Sequence, residues 1–182
     1  MLALWLLSSS GQSGLFAAQL GMGFAFAQFI NPHGGPAAVR QYRERFRPSL
    51  ELVAPAVNVA LVVLCADTEA KAEQLRKAAL LQFLRFEHGQ RSCYPGPAEV
   101  AAYQFSALEQ TRLAYHAGRL VSGTPDQVRE QLLALAGAYE VEELSVVTVT
   151  TDFADRLCSY ELLAEAFALP TVAEPAGQLA WA

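Results

Sequence analysis

The stretch Val57-Asn-Val-Ala-Leu-Val-Val-Leu-Cys65, followed at once by Ala66-Asp67-Thr68, decides the fold class. Its side chains are almost all apolar and largely branched, with no alternation of polar and apolar. That pattern marks a strand covered on both faces, the hallmark of a parallel sheet between helices. Behind it, Asp67 stands where a helix cap belongs, and Ala72, Leu75, Ala79 and Phe86 continue an apolar helical stripe. One strand feeding one helix is the unit from which α/β proteins are built.

The same unit recurs outward from this point. Leu2–Leu7, Phe24–Ile30 and Leu144–Thr150 are further apolar runs expected to be buried strands. Leu15–Leu20 follows the first as a helix. After the second, Pro36 takes a first helical position, with Val39, Tyr42 and Phe46 on one face. Ahead of the fourth, Thr124-Pro125-Asp126-Gln127 has the form of a capping box, and Val128, Leu132, Leu135 and Ala136 supply the apolar face. A last helix is expected over Ser159–Phe167. The segment 89–118, with the turn Cys93-Tyr-Pro-Gly-Pro97, is too long for a simple βα connection and reads as an irregular insertion. Residues 1–168 therefore form one α/β domain and 169–182 a tail. Four units make either a small open sheet or half of an eight-fold (β/α) barrel, and periodicity does not separate the two.

Composition narrows the function classes. Hydrophobic residues make up 53% of the 182 and charged residues 17%, which fits a sheet covered on both sides. The net charge of −5 with no basic stripe argues against nucleic acid as a partner. No apolar run reaches the ~20 residues of a membrane helix. Leu2–Leu7 lacks a preceding Lys or Arg and is too short for a signal sequence. Cys65, Cys93 and Cys158 are odd in number and lack ligand spacing, so buried reduced thiols in a cytoplasmic protein, and no metal, are expected.

Ligands of parallel α/β folds bind where the strands end. Four such places exist here. Ser8-Ser-Ser-Gly-Gln-Ser-Gly14 lies between strand and helix, where free N–H groups, hydroxyls and the helix dipole favour a phosphate. Capping and turning explain the same residues, and neither a Walker lysine nor a GxGxxG pattern is present. The second place holds Asn31, His33 and Gly34-Gly35; the third is Cys65-Ala-Asp67; the fourth runs from Thr148 to Arg156 through Thr150, Thr151, Asp152 and Asp155. None forms a triad, a metal site or a carboxylate pair by spacing, so no catalytic residue is assigned.

The blocks taken together resemble a known family. Trp5-Leu-Leu-Ser-Ser-Ser-Gly-Gln-Ser-Gly14, Ala17-Ala-Gln-Leu-Gly-Met-Gly-Phe-Ala-Phe-Ala27, Tyr42-Arg-Glu-Arg-Phe-Arg-Pro-Ser49, Ala66-Asp-Thr68, Gly123-Thr-Pro125 with Val128, Glu142-Glu-Leu144 and Arg156-Leu-Cys-Ser-Tyr-Glu-Leu-Leu-Ala164 stand in the order seen in the second half of the bacterial luciferase-like, flavin-dependent monooxygenases. The resemblance spans roughly residues 3–168. It implies a partial (β/α)8 TIM-type barrel whose four βα units correspond to strands 5–8. It also implies an oxidoreductase that uses reduced FMN, supplied by a separate reductase, and O₂ to oxidise an organic substrate. In that family the loop equivalent to Ser9–Ser13 contacts the FMN phosphate, which makes Ser9, Ser10, Gly11 and Ser13 the cofactor candidates here. Ala27 and Gln28 match positions beside the flavin ring. Ser8, Gln12 and Gly14 depart from the family's usual Gly, aromatic and Ala. The family's first four strands have no counterpart in these residues, so the resemblance implies a homo-oligomer or pairing with a missing N-terminal half. The alternative is a non-catalytic half-barrel that only self-associates or pairs, such as a truncated gene product.

Overall fold

The computed structural model describes residues 4–170. Its elements alternate as expected: β1 (Trp5–Ser8), α1 (Gly11–Leu20), β2 (Gly23–Ala27), α2 (Gly35–Arg45), β3 (Val57–Cys65), α3 (Glu69–Glu87), α4 (Pro97–Ala102), α5 (Ala107–Ala117), β4 (Leu120–Gly123), α6 (Pro125–Tyr139), β5 (Leu144–Val147) and α7 (Phe153–Ala166). Every strand pairing among the described residues is parallel. The α/β class holds, with one strand more than the four expected.

β3 is the hub, and its nine residues explain why. Val57–Ala60 pair with Phe24–Ala27 of β2, and Val62–Cys65 pair with β4. Val59–Val62 pair with β5. The β5 register overlaps both of the others, and a strand has only two edges. β2 and β4 therefore lie end to end along one edge, with β5 on the opposite one. Two long-range bonds join the abutting ends: Gln28 Nε2 donates to Gly118 O (3.2 Å) and Arg119 Nε to Phe29 O (2.8 Å). β4 is thus the extra strand, a short segment paired to the overhang of a long neighbour.

Alternation along β3 sends its side chains into two cores. Val59, Leu61, Val63 and Cys65 meet α1, α2, α6 and α7 through residues such as Ala17, Tyr42, Leu132 and Leu163. Val62, Leu64 and Ala66 meet α3 on the other face through Ala72, Leu75 and Ala79. The double burial expected of Val57–Cys65 is therefore met by helices on both sides from Leu61 to Cys65, while Val57 and Ala60 stay half-buried. β1 departs from that expectation, since Trp5 and Leu7 are 43% and 57% exposed on the face that α3 leaves uncovered.

Local chemistry sets the helix ends, and several lie apart from their expected places. α1 starts at Gly11, ahead of Leu15, because Ser10 Oγ accepts from Ser13 N and caps it. α3 is capped by Thr68, whose hydroxyl accepts from Lys71 N, and Asp67 is left outside the helix. Gln127 Oε1 accepts from Thr124 N (3.0 Å), as the capping box predicts. α7 begins at Phe153 because Asp152 Oδ1 accepts from Ala154 N (2.9 Å), well ahead of Ser159. The strands expected to reach Ile30 and Thr150 end at Ala27 and Val147. Ile30 N turns back to Ala27 O, and Thr148 Oγ1 bonds Val63 O (2.8 Å). Residues 89–118 hold two helices, the second opened by Ser106 and Glu109 bonding each other reciprocally. Beyond Pro170 the expected tail lies outside the described residues, as does the start of the first expected strand.

Candidate functional site at the strand ends

Because the strands are parallel, their C-terminal ends gather at one end of the sheet, and β1 and β2 are in register from Trp5↔Gly23 to Ser8↔Phe26. That register places the Ser9–Ser13 loop beside Ala27, Gln28 and Asn31. A direct bond joins the two loops, Asn31 Nδ2 to Ser9 O at 3.3 Å, and Asn31 Oδ1 also accepts from His33 N (3.1 Å). Asn31 is therefore the clip between the first and second strand ends.

Within the first loop, Ser10 Oγ and Ser13 Oγ lie 3.0 Å apart in a mutual hydrogen bond. Gly11 and Gln12 occupy the first positions of α1, and their N–H groups make no hydrogen bond among the described residues. Such free donors at the start of a ten-residue helix carry its positive dipole end. Together with three serine hydroxyls they form a donor set suited to an anion such as a phosphate.

Ala27 is fully buried and falls on the sheet face opposite Phe24 and Phe26. Gln28 is also buried, and its amide is committed at both ends. Nε2 donates to Gly118 O, and Oε1 accepts from the Tyr139 hydroxyl at the end of α6. Burial pushes the Tyr139 phenol up to about 12, so it stays a donor across the neutral range. The side chain of Gln28 thus ties β2 to β4 and α6.

The other strand ends are occupied by structural work. Asp155 pairs with Lys71 (2.8 Å), joining α7 to the first turn of α3. Thr151 Oγ1 bonds Pro95 O (2.8 Å), drawing the Cys93–Pro97 turn over the end of β5, and Thr150 Oγ1 bonds Asp152 O (2.6 Å). His33 is exposed and faces the Tyr115 ring at 5.6 Å. Cys65 is buried as expected, Cys158 half-buried and Cys93 exposed, and all three are free thiols.

Two polar groups near the site carry no sequence motif. One is Tyr139. The other is His116, which is buried with Nε2 2.8 Å from Glu87 Oε2 and Nδ1 3.1 Å from Arg119 Nη1. Arg119 lies over the Phe83 ring at 4.2 Å while bonding Phe29 O, so this network braces the chain just beyond Gln28. Only the spacing of Arg112 and His116, one helical turn apart and both bonded to Glu87, hints at it in sequence.

With this geometry in place, comparison with known proteins identifies the fold unit. Residues 3–139 match the family model described as luciferase-like monooxygenase. The YwcH protein of Bacillus subtilis (strain 168) is 49% identical over 165 residues, covering 90% of this chain and 50% of YwcH. The crystal structure of apo-MsnO8 superposes with a TM-score of 0.82 at 37% identity, over 92% of this chain and 51% of that one. Riboflavin lyase, solved with modified FMN and riboflavin, shares the fold at 16% identity and a TM-score of 0.53, over 91% of this chain and 42% of that one. The chain spans about half the length of the curated relatives it matches. Among the described residues no helix is long and apolar enough to cross a membrane. The chain belongs to the luciferase-like monooxygenase family.

Proposed function

We propose that this chain forms one half of an FMN-dependent monooxygenase of luciferase type and that the β1–α1 loop holds the FMN phosphate. The observation that carries the proposal is the donor set at that loop: unbonded Gly11 and Gln12 N–H groups beside the hydroxyls of Ser9, Ser10 and Ser13, at the ligand-binding end of a parallel sheet. Reduced FMN, delivered by a separate reductase, supplies the chemistry that activates O₂ toward an organic substrate. The residues of this chain bind and orient. Gly11 and Gln12 aim their N–H groups at the phosphate, the α1 dipole favours its charge, and Asn31 holds Ser9 in place. Ala27 presents a small apolar side chain beside the ring, and Gln28 holds the end of β2 in position through Tyr139 and Gly118. The opposite wall of the site comes from a second barrel half, either another copy of this chain or the half of the family barrel that it does not match.

Titration with FMN and with riboflavin, followed by quenching of flavin fluorescence, tests this. FMN binds in a salt-sensitive manner, riboflavin binds far more weakly, and Ser13→Ala narrows the difference. Equal affinity for the two flavins removes the phosphate assignment, and no binding of either removes the flavin. The second reading, a half-barrel that associates without catalysis, is favoured by the two sheet edges that carry no partner strand among the described residues. It requires association with no flavin binding at all.

A further inference from the structure

The turn after β2, residues 28–33, is held from two sides. On one side it bears on the end of α5 and the start of β4. Gln28 Nε2 donates to Gly118 O (3.2 Å), and Arg119 Nε donates to Phe29 O (2.8 Å). Pro32 packs on Gly118, where an added Cβ would lie 3.1 Å from the proline Cβ, and the His33 ring faces Tyr115. On the other side Asn31 Nδ2 donates to Ser9 O (3.3 Å) in the β1–α1 loop. Between these contacts the turn is tightly bonded to itself. Ile30 N and Asn31 N both return to Ala27 O (3.1 and 3.3 Å), and Asn31 Oδ1 accepts from His33 N (3.1 Å). The residue that Arg119 holds and the residue that holds Ser9 therefore stand two apart in one stiff turn.

Arg119 is anchored away from that loop. Its guanidinium is half-buried, lies over Phe83 of α3 at 4.2 Å and has Nη1 3.1 Å from Nδ1 of His116, whose Nε2 reaches Glu87. Among the described residues no carboxylate stands within ion-pair distance of it. A half-buried cation without a carboxylate partner depends on its neutral acceptors. Here these are one imidazole nitrogen and the Phe29 carbonyl, so losing the latter is costly and the contact resists opening. We propose that Arg119 is a positioning residue for the β1–α1 loop: braced on α3 and α5, it fixes the turn through Phe29 O, and Asn31 of that turn in consequence fixes Ser9 and the Ser10–Ser13 donor set. Its functional meaning rests on the flavin reading above. The segment between β3 and β4 then sets how firmly the FMN phosphate is held, without touching the cofactor. By linkage, an anion bound at the loop steadies the turn in return.

Amide hydrogen exchange of the full chain without ligand, followed by NMR, and titration of the same samples with FMN and with riboflavin test it. The amides of Ser13 and Gly14, which donate to Ser10, report the loop, and those of Ile30 and Asn31 report the turn. The amides of α7 are the control. Arg119→Met quickens exchange at both reporters by roughly three- to tenfold and leaves α7 unchanged. Asn31→Ala quickens the loop, and adding Arg119→Met to it quickens the loop no further. FMN affinity falls in Arg119→Met by a similar factor, while riboflavin, which has no phosphate, binds as to the parent. Circular dichroism establishes folding, and Arg119→Lys, which keeps the charge but not the fork, serves if Arg119→Met does not fold. A folded Arg119 variant that quickens the turn but not the loop overturns the proposal. So does a loop that quickens further in the Asn31→Ala background, an α7 that quickens equally, or FMN that binds parent and variant alike. Coupled exchange in a chain that binds no FMN sinks the flavin reading and spares the positioning; FMN binding with a loop blind to Arg119 does the reverse.

Discussion

The Tyr139 hydroxyl donates to Gln28 Oε1 across the boundary between α6 and the end of β2, and it passes directly against the Cα of Gly35. Gly35 opens α2 and is buried; a Cβ there would overlap the phenol, with its ring Cε1 atom at 2.6 Å. The absence of a side chain at Gly35 is what lets Tyr139 reach Gln28. Tyr139→Phe leaves a buried amide oxygen unpaired and is expected to cost about 1–3 kcal/mol in urea unfolding. Gly35→Ala costs more, because the backbone of a helix start must shift. The two changes are coupled: the loss on combining them is smaller than their sum, which a double-mutant cycle measures. Simple additivity would show that the phenol and Gly35 do not share one constraint.

A second close approach sits on the uncovered sheet face. Trp5 and Gly23 are register partners, and a Cβ at Gly23 would lie 2.5 Å from the Trp5 ring. The indole therefore lies over the glycine, covering a strand position that has no side chain of its own. Gly23→Ala displaces the indole, with an expected loss of roughly 1–3 kcal/mol from overpacking. In a Trp181→Phe background Trp5 is the remaining tryptophan. Its emission moves to the red in Gly23→Ala, and an unchanged spectrum would contradict the stacking.

The parallel class was legible because β3 is long and continuously apolar, as a strand covered on both faces is, and because helix-patterned segments alternate with the apolar runs. β4 was not, because Leu120-Val-Ser-Gly123 carries little apolar pattern of its own. Its strand state comes from the overhang of β3, a tertiary fact. The shift of the α3 cap from Asp67 to Thr68 has a similar origin, since adjacent Asp and Thr both have capping oxygens and the approach of the chain from β3 decides. The serine loop was visible as a donor cluster, but its clip, Asn31, depends on the β1–β2 register. Tyr139 and His116 were hidden because their partners lie far away in sequence, Gln28 in one case and Glu87 in the other.

The three thiols separate by environment. Cys65 is buried, and desolvation, with a smaller contribution from Cys158, pushes its pKa up to about 11. The Cys158 thiol is also raised, by burial first and then by the nearby Asp67, Glu161 and Asp155 carboxylates. Cys93 is exposed in the turn before α4. Since the thiolate is the reactive form, alkylation of the native chain near neutral pH modifies Cys93 first and Cys65 only after unfolding. Peptide mass mapping against time reads the order. Early modification of Cys65 would show that the β3 end opens readily.

Glu87 links the end of α3 to α5, accepting from Arg112 and from His116 Nε2. Arg119 can only donate, so its approach to His116 Nδ1 makes that nitrogen the acceptor and leaves the ring proton on Nε2, facing Glu87. The hydrogen bond from Arg112, then that from His116, holds the Glu87 carboxyl below its ordinary value of 4.5. A carboxyl depressed in the folded state stabilises it fully above that value, and the contribution is lost as the pH falls through the lower folded pKa. With Glu87 one-third exposed, salt screening keeps the effect modest. Glu87→Gln is therefore less stable than the parent at pH 7, and the gap narrows as urea unfolding is followed from pH 5 to pH 3. Loss of the His116 contact alone, in His116→Phe, leaves the Arg112 bond and part of that pH dependence. A gap between parent and Glu87→Gln that stays constant or widens toward acid would show that the carboxylate charge contributes nothing to holding α3 against α5.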